Sequence, residues 1–316
     1  MNNPGQEAGG RLSLLDWKAA NVRNSWFLAF GTIAMLALLG WLIGQAVNPG
    51  SASVFTGIAL LLAAGQTGAA YWFSDKMALS ATGAREATVE EHRYLVNVTE
   101  AVAMGAGVPV PKIYVIDSPE PNAFATGRNP EHGVVAVTTG LMELLDRQEL
   151  EGVVAHEMAH IKNYDMLFGS MLAATVGAII LLRDLFLRSS GRGMWAGGGR
   201  RSSSSRGGKG GGGNAIMGLL LVVLLIAAPL LARLLQMAVS RKREFLADAS
   251  GAYITRNPEG LARALEKLRD YQGKPMAVTD GVRHLFFTQP HVKSRLSALS
   301  ATHPPIDERI NRLRRM

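Results

Sequence analysis

One stretch of the chain carries the residue types and spacing for hydrolytic chemistry, His156-Glu157-Met158-Ala159-His160. Histidines at i and i+4 leave one face of a helix a turn apart, so both imidazoles can reach a single ion. Glu157 follows the first of them, the place of the general base in zinc hydrolases. The bland alternative is a polar surface helix that happens to carry two histidines. Its surroundings argue against that, because Leu150, Val153, Val154, Met158 and Ile161 make the segment apolar on several sides. Two imidazoles and a carboxylate inside a buried helix need partners, and a metal ion supplies them. The chain has no cysteine, which excludes thiolate-ligated zinc, iron–sulfur clusters and a disulfide framework.

A catalytic zinc takes three protein ligands and keeps a fourth position open. A third histidine on the same segment would need Gly at 163 and His at 166, where the chain has Asn163 and Met166. Asp165, on a continuing helix, would point away from the ion. His92, His132, His284, His291 and His303 are scattered. Glu244 is the better candidate, with Asp248 four residues on and facing the same way. Glu244 as ligand and Asp248 bracing a ligand imidazole would complete a two-histidine, one-glutamate set. Spacing alone slightly favours a solvated charge pair on a basic helix.

The elements that must position these residues can be read from periodicity. Asp146 and Glu149 have the spacing of a capping box that opens a helix at about Arg147. Helical spacing of apolar residues also covers 89–104, and helices are expected over 236–255, 258–271 and 306–314. Residues 112–116 and 133–137 read as strands, and 122–125 as a short edge strand between them. The expected domain is α+β and mostly helical.

Charged residues make up only 18% of the chain, and their distribution excludes a wholly soluble protein. From Asn24 to Ser74 there is no Asp, Glu, Lys or Arg. Runs 26–46 and 52–73 fill that gap, each longer than the roughly 18 apolar residues of a candidate span. Arg11, Lys18 and Arg23 precede this hairpin and Lys76, Arg85 and Arg93 follow it, while its turn carries no charge. The positive-inside rule then puts both flanks in the cytoplasm. Apolar runs 166–182 and 215–232 flank a basic Gly/Ser/Arg linker at 189–214, and whether they span is open. The expected division is a leader at 1–25, a transmembrane hairpin at 26–74 and the first half of a catalytic domain at 75–165. A second hydrophobic hairpin at 166–240 and the second half of the domain at 241–316 complete it.

In order, the chain presents the hydrophobic hairpin, Pro121-Asn122-Ala123-Phe124-Ala125, the two-histidine helix and two more hydrophobic runs. Glu244-Phe245-Leu246-Ala247-Asp248 follows, then His303-Pro304-Pro305 before a basic helix. Over nearly its whole length this resembles the HtpX-type membrane zinc metalloproteases, relatives of the CAAX prenyl endopeptidases. The long linker departs from the compact connection of that pattern. The resemblance implies a gluzincin-like metalloprotease domain holding one Zn2+ per chain through His156, His160 and Glu244. It makes Glu157 catalytic and Asp248 a brace behind the ligands. Asn122, Ala123 and Phe124 become an edge strand against which an extended substrate lies. It further implies damaged membrane proteins or unfolded polypeptides as substrates, in quality control and stress response. The enzyme would be multi-pass in a bacterial inner membrane, with its active site on the cytoplasmic side, the bilayer as partner and no nucleic acid. His284 and Arg295 are guesses for stabilising the oxyanion. Two other readings compete. A CAAX-type peptidase needs an apolar chamber, for which four hydrophobic runs are few. A non-enzymatic adaptor or transporter should carry ionisable groups in its spans, and the first two runs have none.

Overall fold

The chain folds as two units, residues 1–26, 71–170 and 239–316 in one and residues 27–70 and 171–238 in the other. The computed structural model describes residues 14–47, 49–172, 174–175, 241–272, 286–287 and 304–316. Helix α1 (Leu14–Val47) and helix α2 (Ala52–Thr82) are joined by a 3-10 turn at Pro49–Ser51. A sheet and three helices follow: β1 (Arg85–Glu86), α3 (Val89–Ala106), β2 (Lys112–Ile116), β3 (Ala123–Thr126), β4 (Val134–Thr138), α4 (Thr139–Leu144) and α5 (Arg147–Lys162). The chain closes with α6 (Arg241–Thr255), α7 (Pro258–Asp270) and α8 (Ile306–Leu313). Among the described residues the result is mostly helical with one small sheet.

In the first unit the strand order is β1-β2-β4-β3. Strands β2 and β4 run parallel, while β1 and β3 are antiparallel to their neighbours. All five residues of β4 are buried, which suits a central strand with both faces covered. Among the described residues strand β3 lies at the end of the order, and it takes in Ala123 and Phe124 but starts after Asn122.

Helix α5 is started by the residues expected to start it. Glu149 N–H donates to Asp146 Oδ1 at 3.0 Å, and Asp146 N–H donates to Glu149 Oε2 at 2.8 Å. Both arms of the capping box are therefore made, and the backbone bond from Glu149 holds the Asp146 carboxyl below its ordinary range. Helices α6 and α7 approach α5 closely because glycines stand at the crossings. A Cβ on Gly152 would come within 2.8 Å of the Leu261 backbone. One on Gly251 would lie 3.0 Å from the His156 backbone nitrogen. The core between these helices includes Leu150, Val153, Met158, Leu261 and Leu265, all fully buried.

Helix α1 reaches back into residues 14–25, the segment expected as a leader. In the second unit, α1 and α2 cross on small residues: a Cβ on Gly44 would sit 2.5 Å from Ala52 Cα, and one on Gly40 2.6 Å from Ala59 Cβ. Close backbone approach of this kind is a device of helices packing in lipid. The spacing Gly-x-x-x-Gly was legible in the sequence and had not been singled out. Phe27, Phe30, Leu61 and Leu62 point outward and are exposed. Lys18–Leu42 and Ala52–Thr82 are long and apolar enough to cross a membrane by length and composition. The linker at 189–214 and the run at 215–232 lie outside the described residues, as does the run at 166–182 beyond residue 175.

Candidate metal centre

Helix α5 carries His156, Glu157 and His160, all fixed by its packing against α6 and α7. His156 and Glu157 are buried. The two imidazoles meet Nε2 to Nε2 at 3.1 Å. Glu244, in the first turn of the described part of α6, brings one oxygen to 3.7 Å from His156 Nε2 and the other to 3.7 Å from His160 Nε2. Glu244 is remote in sequence from the two histidines, and the fold brings the three candidate ligand atoms within 4.8 Å of one another. Donor atoms around a tetrahedral ion with bonds of about 2.0–2.1 Å lie roughly 3.4 Å apart. The Nε2–Nε2 spacing falls below that value and each imidazole faces a different Glu244 oxygen somewhat above it, so the group could hold one metal ion.

Behind each imidazole stands a carboxylate. His156 Nδ1 donates to Asp248 Oδ1 at 2.9 Å, which leaves Nε2 as the lone-pair nitrogen facing Glu244. Asp248 is in turn gripped by Arg309 of α8, Nε to Oδ2 at 2.8 Å and Nη2 to Oδ1 at 2.7 Å. Arg309 is only 1% exposed. It also lies 3.8 Å from Glu244 Oε2, and its guanidinium stacks 4.7 Å over the Phe287 ring, which packs edge-on against His156. On the other side, His160 Nδ1 meets Asp165 Oδ2 at 2.9 Å.

Asp165 does not enter the candidate ligand group, and the continuing helix on which it would point away from the ion does not form. Instead α5 ends at Lys162 and Tyr164 adopts a φ of 61°, which turns the chain so that the next residue reaches back to His160. A non-glycine residue in the left-handed region is uncommon and costs strain; here it delivers a carboxylate to a ligand imidazole.

Electrostatics separate the two histidines. Burial, with the Arg309 charge adding to it, pushes His156 down to about 4 against the pull of Asp248. Burial acts on His160 as well, but the Asp165 hydrogen bond and the charges of Glu244, Asp165 and Glu157 lift it to about 9. Asp248 is held low despite burial, chiefly by Arg309 and then by His156. The charge of Glu157 reaches both His160 and Arg309.

The expected substrate strand lies in the same unit. Asn122 and Phe124 are buried, and Phe124 packs edge-on against Phe286 at 5.2 Å. Ala123 N–H is bonded to Asn122 Oδ1 at 3.0 Å, and its carbonyl accepts the Phe287 N–H at 2.8 Å. Both main-chain groups of Ala123 are thus already bonded within the protein, and the Phe124 ring belongs to the core. His284, Arg295 and His303 lie outside the described residues.

Arg309 and Asn21, whose Nδ2 donates to Asp165 Oδ1 at 2.7 Å, were missed in the sequence, and each had a signal. Arg309 shares a helical face with Ile306, Ile310 and Leu313, an unusual place for a charge without a partner. Asn21, Ser25 and Thr32 recur at helical spacing on one face of α1 and are all buried.

Residues 90–316 match the model of Peptidase family M48. The chain is 43% identical over 307 residues to the "Protease HtpX homolog" of Thermoanaerobacter pseudethanolicus, covering 96% of this chain and 98% of that one. It is 48% identical over 259 residues to the protein of the same description from Thermodesulfovibrio yellowstonii, covering 82% and 87%. Among solved structures, the crystal structure of S. mikatae Ste24p aligns with 95% of this chain and 67% of its own, at a TM-score of 0.50 and 21% identity. That last likeness is one of fold.

Proposed function

Because the chain belongs to peptidase family M48, we propose that it is a membrane-anchored zinc endopeptidase that cleaves damaged or unfolded membrane proteins at the cytoplasmic face. The observation that carries this reading is the spacing of His156 Nε2, His160 Nε2 and Glu244, at 3.1 and 3.7 Å, with a carboxylate behind each imidazole. A two-histidine, one-glutamate set of nitrogen and oxygen donors without cysteine suits zinc in a gluzincin-type arrangement. A zinc ion held there supplies Lewis-acid stabilisation of the charge that develops on the scissile carbonyl.

The remaining work falls to the protein's own side chains. Glu157, buried beside the ligands, is the base that takes a proton from the attacking water and hands it on to the leaving amine. Asp248 and Asp165 hold the ligand imidazoles in one orientation and one tautomer. The edge of β3 at Asn122, Ala123 and Phe124 recognises an extended polypeptide through main-chain hydrogen bonds, which suits substrates without a shared sequence. The basic flanks of the apolar hairpin support a cytoplasmic site, and the exposed apolar faces of α1 and α2 support lipid contact.

The test is metal content and casein-type proteolysis of detergent-purified protein, wild type against Glu157→Gln. The variant should keep its metal, lose activity by roughly 10²–10⁴-fold, and accumulate more intact. An active Glu157→Gln protein would sink the mechanism.

A further inference from the structure

The Asp165 carboxylate that meets His160 has a second oxygen, and what holds it comes from the far N-terminal end of the chain. Asn21 Nδ2 donates to Asp165 Oδ1 at 2.7 Å and to the Asn163 carbonyl at 2.9 Å. An asparagine amide has two N–H groups, so these two bonds use its full donor capacity. Asn21 is 4% exposed and Asn163 3%, and neither bond can be exchanged for water without opening the site. The same helix touches the strained turn between those two acceptors: the Lys18 ammonium sits 4.8 Å over the Tyr164 ring. Arg243 lies 4.0 Å from Asp165 Oδ1, and its guanidinium stacks on Phe168.

We propose that Asn21 is a positioning residue of the metal centre, through which the N-terminal apolar helix orients Asp165 and, by way of Asp165, the His160 imidazole. The inference rests on the reading of His160 as a metal ligand. It extends the centre to a residue outside the 90–316 stretch that matches the family model. A buried carboxylate bonded on one oxygen only can swing about its Cβ–Cγ bond. Asn21 pins the second oxygen and, at the same time, the backbone of the turn that presents it. On this account α1 does more than tether the domain.

The experiment uses the full-length chain in the Glu157→Gln background, which removes self-digestion. Zinc affinity is read by competition with a chromophoric chelator, and ligand geometry from the visible spectrum of the cobalt form. Asn21→Leu, of similar size but without a donor, should bind zinc about tenfold more weakly, the lower end of what outer hydrogen-bond partners of metal ligands are worth, and should shift the cobalt bands. Asn21→Ser, which keeps one donor, should fall between and carries the test if the leucine variant does not fold. Thr32→Val perturbs the same helix where Thr32 meets Thr175 at 2.7 Å, and should leave affinity and spectrum unchanged. In an Asp165→Ala background, Asn21→Leu should change affinity by no more than about twofold, because residues acting through one another are not additive.

Unchanged zinc affinity in both Asn21 variants would overturn the proposal. So would an equal loss in Thr32→Val, or full additivity with Asp165→Ala. A Glu157→Gln parent that binds no zinc would overturn the reading of the site and this inference with it. A parent that binds zinc while the Asn21 variants match it would overturn this inference alone.

Discussion

His156 Nδ1 and Asp248 Oδ1 stand 2.9 Å apart, both buried, and the same carboxylate is gripped twice more by Arg309. Asp248→Ala therefore breaks two relationships at once. The imidazole loses its brace, which should weaken metal binding by about 10–100-fold. Arg309 loses both hydrogen bonds to that carboxylate and keeps only Glu244 Oε2 at 3.8 Å as an ion-pair partner; breaking a buried pair from one side costs up to about 3–5 kcal/mol in stability. Metal titration and thermal unfolding of the same preparation should move together. A weaker site with an unchanged melting temperature would refute that coupling.

Glu244→Asp is the sharper probe of the third ligand. It keeps the charge and withdraws the carboxylate by about 1.5 Å, one carbon–carbon bond. A ligand already balanced at 3.7 Å from each imidazole nitrogen does not tolerate that retreat, so proteolysis should be lost. Glu244→Ala should lose zinc as well. Full activity in both variants would return α6 to a helix bearing a charge pair.

Metal binding should expel a proton. With His160 lifted to about 9, the metal-free site holds that proton at pH 7.5, and an imidazole must give it up to ligate. Protons compete with the ion, so affinity rises with pH, by about tenfold per unit below that value, and flattens above it. Calorimetric titration of Glu157→Gln with zinc, in buffers of different ionisation enthalpy, should find about one proton released per ion at pH 7.5. Zero release would contradict the charge state assigned to His160.

The 3.7 Å between His160 Nε2 and Glu244 Oε1 also constrains topology. Both residues must lie on the same side of a bilayer, so the chain between them crosses it an even number of times. The absence of cysteine makes single-cysteine labelling straightforward. Gly50→Cys should label from outside, while Gly10→Cys, Pro130→Cys and Asp270→Cys should be protected. Ser205→Cys separates no crossing (protected) from two (labelled outside). Opposite faces for Pro130→Cys and Asp270→Cys would be incompatible with one shared ion.

The two-histidine helix, its capping box and the strands at 112–116 and 133–137 were legible because each is a local pattern. Spacing sets a helical face, and Asp146 with Glu149 makes its start visible whatever the rest of the chain does. The metal group was half legible: Glu244 and Asp248 share a helical face, but only tertiary contact separates a ligand from a solvated pair. The contact of Asp165 with His160 was not legible because the turn at Tyr164 comes from a residue with no glycine-like freedom, and no local signal predicts it. Arg309 and Asn21 escaped because their partners are remote in sequence, at Asp248 and Asp165. A buried polar group can be suspected from the face it occupies, but its partner cannot be read there.

The network behind His156 has a temporal side. Synthesis proceeds from the N-terminus, so Asn21 emerges first, the two histidines follow, Glu244 and Asp248 come much later, and Arg309 of α8 last. A nascent chain that already exposes both histidines still lacks its third candidate ligand. One that has added Glu244 still lacks the cation that clamps Asp248. The candidate centre is thus assembled in stages, its third ligand arriving long after the histidines and the clamp on Asp248 only when α8 docks.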